Sequence, residues 1–168
     1  MSTEVPAAEI AFRNAMARFA SGVTIVATKS GDGTPVGFTA SAFCSLSLNP
    51  PLLLVCLQKD ADCYAAFMEA EHFAVSILAH GQSAIARRFA TKAIDKWQEM
   101  PVVRGERTRL PLIEGASAHA ECLMLDRVDG GDHTILIGEV ISASSTNDEP
   151  LVHFNRQFGR FVGEEPSK

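Results

Sequence analysis

The sequence predicts a mainly β fold with peripheral helices, built as one small β-barrel domain over residues 1–168 with its core at about 10–162. Three observations carry that prediction. The β-rich runs are joined by tight turns, at 30–35 and at Asp129-Gly130-Gly131-Asp132, rather than by crossover helices. Helical periodicity is confined to a few short stretches, which argues against a doubly wound parallel sheet. Long antiparallel strands within one domain need closure to hide their edges.

The elements follow in order. Residues 10–20 read as a helix, with Phe12, Ala15, Met16 and Phe19 at spacings of three and four and Ser21-Gly22 closing it. Residues 23–29 and 36–42 form a hairpin around the turn. Pro50-Pro51 turns the chain into an apolar run, 52–58, read as a buried strand. A short helix at 61–70 and a strand at 73–78 come next. Residues 82–91 are helical, with Ile85, Ala86 and Phe89 as an apolar stripe. Residues 93–109 are polar and irregular. The runs 117–128 and 133–143 pair as a long hairpin, and 151–162 carries three phenylalanines and two arginines.

Composition narrows the function. A chain of 168 residues with 46% hydrophobic and 21% charged residues can bury a core and is not disordered. The net charge of −5, with no Lys/Arg run, excludes a general nucleic-acid binder. Cys44, Cys56, Cys63 and Cys122 form no C-x-x-C pair and no zinc-ligand cluster, so no metal is expected. Cys44, Cys56 and Cys122 stand in apolar contexts and read as small core residues. Met1 to Pro6 lack the pattern of a secretory leader, and no apolar run is long enough to cross a membrane. A reduced, cytoplasmic protein is expected.

One stretch stands out for chemistry. From Gly37 to Ser47 the chain is small and hydroxyl-rich, with Thr39, Ser41, Ser45 and Ser47 spaced to share a strand face. Small side chains let a flat ligand approach the backbone, whose N–H and C=O groups then bond its polar edge; a flavin ring has such an edge. A solvated sheet edge is the plainer reading. Arg87 and Arg88 end a short helix and read either as a solvated basic end or as a phosphate clamp. Asp60 reads as a helix N-cap. His133 follows a Gly-Gly-Asp turn, either as an exposed turn residue or as a hydrogen-bonding group beside a ligand. Gly31-Asp32-Gly33 lacks the third glycine of a dinucleotide fingerprint, and a strand follows it.

Together these segments resemble the flavin reductase-like family, the reductase partners of two-component flavin monooxygenases. The resemblance rests on Phe12 through Thr24, Gly37 through Leu57, Arg88-Phe89-Ala90, Gly131-Asp132-His133-Thr134 with Ile137-Gly138-Glu139-Val140, and Pro150-Leu151 with Phe154. It runs from about Phe12 to Phe161.

The resemblance implies a split β-barrel, usually a homodimer, that binds FMN or FAD and oxidises NADH or NADPH to reduce it. Thr39, Ala40, Ser41 and Ala42 would line the isoalloxazine edge. Ser45 would reach the phosphate or ribityl chain. Cys56, Leu57 and Gln58 would flank ring and chain. Arg88, Phe89 and Ala90, with Arg87, would close the phosphate end, and His133 would lie near the nicotinamide. Phe158, where many members carry tyrosine, would stack on nicotinamide or adenine. The chain departs from the family at Ser41, often Asn, at Asp60, Asp62 and Cys63, where hydroxyls are common, and at Arg156, often Gly. The absence of a basic cluster for a 2′-phosphate favours NADH. A non-catalytic FMN carrier is the second reading, and a barrel for another planar ligand such as haem the third.

Overall fold

A computed structural model describes residues 6–164. The reading of the N-terminal segment lies, for residues 1–5, outside them. Twelve strands and three helices follow in the order α1 (Ala7–Met16), β1 (Ser21–Gly22), β2 (Thr24–Lys29), β3 (Pro35–Ala40), β4 (Phe43–Leu48), β5 (Pro51–Gln58), α2 (Tyr64–Glu69), β6 (His72–Ile77), α3 (Ser83–Ala90), β7 (Val102–Arg104), β8 (Pro111–Ile113), β9 (Ala118–Gly130), β10 (His133–Ser145), β11 (Leu151–Phe154) and β12 (Gln157–Arg160).

Seven strands make one antiparallel sheet in the order β3-β2-β6-β9-β10-β5-β4. It curls on itself. Val26, Phe38, Val55, Leu57, Phe73, Val75, Cys122 and Leu136 come from six strands across the sheet, yet they share one buried cluster. The two edge strands, β3 and β4, are consecutive in the chain and joined by Ser41-Ala42, but they do not pair with each other. The barrel is therefore split at that seam. A second cluster, including Ile25, Leu78, Ala86, Phe89 and Ile113, lies outside the barrel under α3.

Two close approaches shape the wall. Gly138 on β10 faces the buried Phe73 ring, and a Cβ there would stand 2.9 Å from Cβ of Cys122. Glu121, a buried carboxylate on β9, accepts hydrogen bonds from the Thr108 hydroxyl and from the Arg107 and Thr108 N–H groups, which ties the 105–110 loop to the barrel.

Several expectations need correction. The apolar run on β5 alternates: Leu53, Val55 and Leu57 are buried, while Leu54 and Cys56 lie half-buried on the outer face. Cys44 is exposed rather than in the core, because β4 is an edge strand whose outer face is left uncovered among the described residues. The hydroxyl face is broken, since Thr39 is on β3, Ser41 is in the link, and a bulge separates Ser45 from Ser47 on β4. The helix α1 begins and ends earlier than its pattern indicates and buries none of its side chains. Ser21-Gly22 is a strand paired with β11. The irregular segment contains β7, paired with β8. The C-terminal run is a hairpin whose two turn residues, Asn155 and Arg156, both have positive φ.

Candidate functional site

The seam opens onto the outer face of β5. Ser41 and Ala42 are exposed there, and their carbonyls accept the N–H groups of Phe43 and Cys56 at 3.1 and 3.0 Å. Their own N–H groups have no protein acceptor among the described residues. A strand pair would have used those donors; the split leaves them for a ligand.

Two cavities meet at this point. The larger, about 640 Å³, runs between α1, the seam and β11, over Ser41, Ala42, Leu54 and Cys56, with Phe12 and His153 on its far side. It is mostly apolar. The smaller, about 220 Å³, lies over Thr39, Leu57 and Gln58, with Ala90, Lys96 and His133 around it. Cys56 lines both. Burial pushes its thiol up, as does the neighbouring Cys44, so it stays protonated near neutrality.

The smaller cavity is the basic end. Lys92 pairs with Asp60 at 2.9 Å and Lys59 pairs with Asp129. The Lys96 ammonium donates to the Gly37 carbonyl at 3.2 Å and has no carboxylate partner among the described residues. A half-buried cation with no counter-ion favours an anion in its place.

His133 opens β10 directly after the turn. Its Nδ1–H donates to Asp132 Oδ1 at 2.7 Å, since a carboxylate only accepts. That contact holds the Asp132 carboxyl below its ordinary range. Nε2 has no protein partner among the described residues and, in the neutral ring, is an acceptor.

Of the residues singled out in the sequence, Thr39, Ser41, Ala42, Cys56, Leu57, Gln58, Phe89, Ala90 and His133 line these joined cavities. The Thr39 hydroxyl is held by the Ala86 carbonyl at 2.6 Å, so α3 and β3 are locked together at the rim. Ala40 turns its side chain into the core, and its carbonyl accepts the Thr24 hydroxyl. Ser45, opposite Leu53 on β4, lines neither cavity. Arg88 donates to the Asp95 and Gln98 carbonyls at 3.1 and 2.6 Å and so shapes the loop carrying Lys96. Arg87 lies 5.1 Å over the Phe158 ring, outside both cavities. Sequence reasoning missed Lys92 and Lys96, which sit in a segment without periodicity, and His153, whose strand had no assignment.

The donor set fits a flavin: small residues and free N–H groups for a ring edge, an apolar floor for its face, and cations for a phosphate. A split antiparallel barrel with this groove defines the class of flavin-binding split barrels. The chain belongs to the flavin reductase like domain family, whose model matches residues 16–161. It is 40% identical, over 90% of its own length and 80% of the relative's, to the reductase component of 4-nitrophenol 4-monooxygenase/4-nitrocatechol 2-monooxygenase from Rhodococcus opacus. It is 38% identical, over 89% and 84% of the two lengths, to an FMN reductase (NADH) from Agrobacterium fabrum. Its fold matches the NADH:FAD oxidoreductase of Streptomyces globisporus C-1027, solved in complex with NAD and FAD fragments, with a TM-score of 0.87, 38% identity, and 96% and 98% of the two chains covered.

Proposed function

We propose that this chain is an NADH-dependent flavin reductase that delivers reduced FMN or FAD to a partner monooxygenase. The observation that carries the reading is the split itself: two free backbone N–H groups at Ser41-Ala42, beside an apolar floor that ends at the uncompensated Lys96. Bound flavin and NADH supply the redox chemistry, a hydride passing from the nicotinamide to the isoalloxazine ring.

The residues of the chain orient the two reactants and exclude water. Ser41 and Ala42 N–H groups hold the polar edge of the ring and stabilise negative charge developing there. Leu54 and Cys56 support its face. Lys96 and Lys92 hold the phosphate end, with Thr39, Gln58 and Ala90 along the connecting chain. His133, fixed by Asp132 through Nδ1, would present Nε2 to the nicotinamide end and orient the hydride donor. Arg88 acts through the loop it shapes. Phe158, held between Arg87 and His153, lines neither cavity and packs against the cluster under α3. Support for NADH comes from relatives named as NADH-dependent reductases, the Agrobacterium fabrum FMN reductase (NADH) among them.

The protein works as a homodimer of single-domain chains. Support comes from α1, which carries Ile10, Phe12 and Met16 exposed, with Phe19 just beyond it, and from Leu46 and Leu48 on the neighbouring hairpin. Four free cysteines suit a reducing compartment, and we assign the chain to the cytoplasm. Among the described residues no helix is long and apolar enough to cross a membrane.

The test is NADH oxidation by the purified protein, followed by nicotinamide absorbance, with and without added FMN or FAD. Oxidation that saturates with added flavin is expected. Flavin binding without NADH oxidation would overturn the reductase reading and favour a carrier.

A further inference from the structure

Two opposite charges border the basic cavity without pairing, and we infer that one of them, Asp62, keeps the flavin exchangeable by opposing the phosphate that Lys96 attracts. The inference rests on the flavin-reductase reading above and adds the residue that limits how tightly flavin is held. Each charge is anchored on backbone instead of on the other. The Lys96 ammonium donates to the Gly37 carbonyl at 3.2 Å, and Asp62 Oδ2 accepts the Ala93 N–H at 2.7 Å. Asp62 is exposed, and its Oδ1 has no protein donor among the described residues.

The other charges around this cavity are already matched. Lys92 pairs with Asp60 at 2.9 Å, and His133 is held by Asp132. An incoming phosphate therefore meets one free cation and one free carboxylate. A phosphate ester brings a charge of about −2 near neutral pH. Lys96 offsets part of it, and Asp62 sets a like charge in the same cavity. Salt at physiological strength, with a Debye length of about 8 Å, screens that repulsion only in part. The brace on the loop does not require the negative charge. Ala93 has a φ of 57°, uncommon for a residue with a side chain, and its N–H needs an acceptor. A neutral amide oxygen would serve it as well as a carboxylate does. Charge and brace are thus separable at Asp62. The consequence of the charge is a flavin that dissociates between turnovers, as delivery to a second protein requires.

The experiment titrates FMN, FAD and riboflavin separately, by flavin fluorescence, into the wild-type protein and Asp62→Asn at low and high salt. Asn removes the charge and keeps an oxygen for the Ala93 N–H; Asp62→Ser, which also keeps an acceptor, is the second variant. Asp62→Asn is expected to bind FMN and FAD about three- to tenfold tighter, the effect of one like charge removed from a partly screened site. Stopped-flow release of both flavins should slow to match, and high salt should narrow the gap between the two proteins. Riboflavin, which has no phosphate, is expected to bind both proteins alike. Unchanged or weaker FMN and FAD binding in both variants overturns the inference, makes Asp62 a loop brace only, and leaves the reductase reading standing. Equal tightening of riboflavin overturns it too, because the effect would not act through the phosphate. Failure of all three flavins to bind the wild-type protein overturns the reductase reading itself, and this inference with it.

Discussion

His133 stands directly opposite Gln58 across the β10–β5 ladder, and both side chains border the same cavity. The pairing continues through Thr134 with Leu57 and Ile135 with Cys56, so the imidazole is mounted on a fully paired strand rather than on a free loop. Such a mount fixes a group to within the tolerance that hydride transfer needs.

His133→Ala is therefore expected to lower NADH-driven turnover between about 10- and 100-fold while sparing flavin affinity. Steady-state kinetics beside a flavin titration would check it. Unchanged turnover would remove His133 from the site.

Lys96→Ala is expected to weaken binding of both flavins by about tenfold or more, because it removes the cation that has no counter-ion. The salt dependence of binding should flatten at the same time. Lys92→Ala, whose ammonium Asp60 already compensates, should do less. Isothermal titration at two ionic strengths separates the cases, and equal losses in both variants would count against Lys96 as the principal anchor.

Gly138→Ala tests the barrel wall. The added methyl would overlap the Phe73 ring, which is fully buried and has nowhere to move. Overpacking of this kind costs about 1–3 kcal/mol. A lower urea midpoint at unchanged slope is the expected result, and wild-type stability would show that the ring relaxes freely.

Glu121 gives a pH signature. Burial pushes its carboxyl up, but hydrogen bonds from the Thr108 hydroxyl and from the Thr108, Arg107 and Glu106 backbone outweigh that and hold it below its ordinary value of 4.5. A group with a lowered folded value stabilises above its unfolded value, and that contribution is lost as pH falls through the folded one. Wild-type stability should thus drop as pH falls below about 4.5. Glu121→Gln should cost about 1–3 kcal/mol at neutral pH and show a shallower acid decline. Parallel pH profiles for the two proteins would refute the assignment.

Phe12→Glu addresses assembly. The side chain is 63% exposed on a helix that buries nothing, so the substitution costs an isolated chain little. Sedimentation should report a dimer for the wild-type protein and a monomer for the variant. A monomeric wild-type protein would discard the homodimer.

Much of the barrel could be read from the chain, because hairpin turns and apolar runs are local signals. The long β9–β10 hairpin and the strands flanking Ser30 are cases in point. What escaped depended on position in the finished sheet. Nothing in the spacing of Leu52 to Leu57 says that one face of β5 meets a groove, and nothing near Cys44 says that β4 is an edge. The site divides the same way. Ser41-Ala42 and His133 are visible as a small-residue stretch and a turn histidine. Lys96 is not, because its place is set by Arg88 and Asp95 folding a segment without repeat.

The unpaired link between β3 and β4 ties ligand occupancy to the integrity of the cylinder. Whatever bonds the Ser41 and Ala42 amides acts as the missing rung, so amide hydrogens around the seam should exchange more slowly in the loaded protein. Melting temperature then becomes a readout of saturation, rising with free ligand by mass action. A chain that releases its reduced product must loosen at this rung each cycle, and tightening the seam by mutation would trade turnover for thermal resistance.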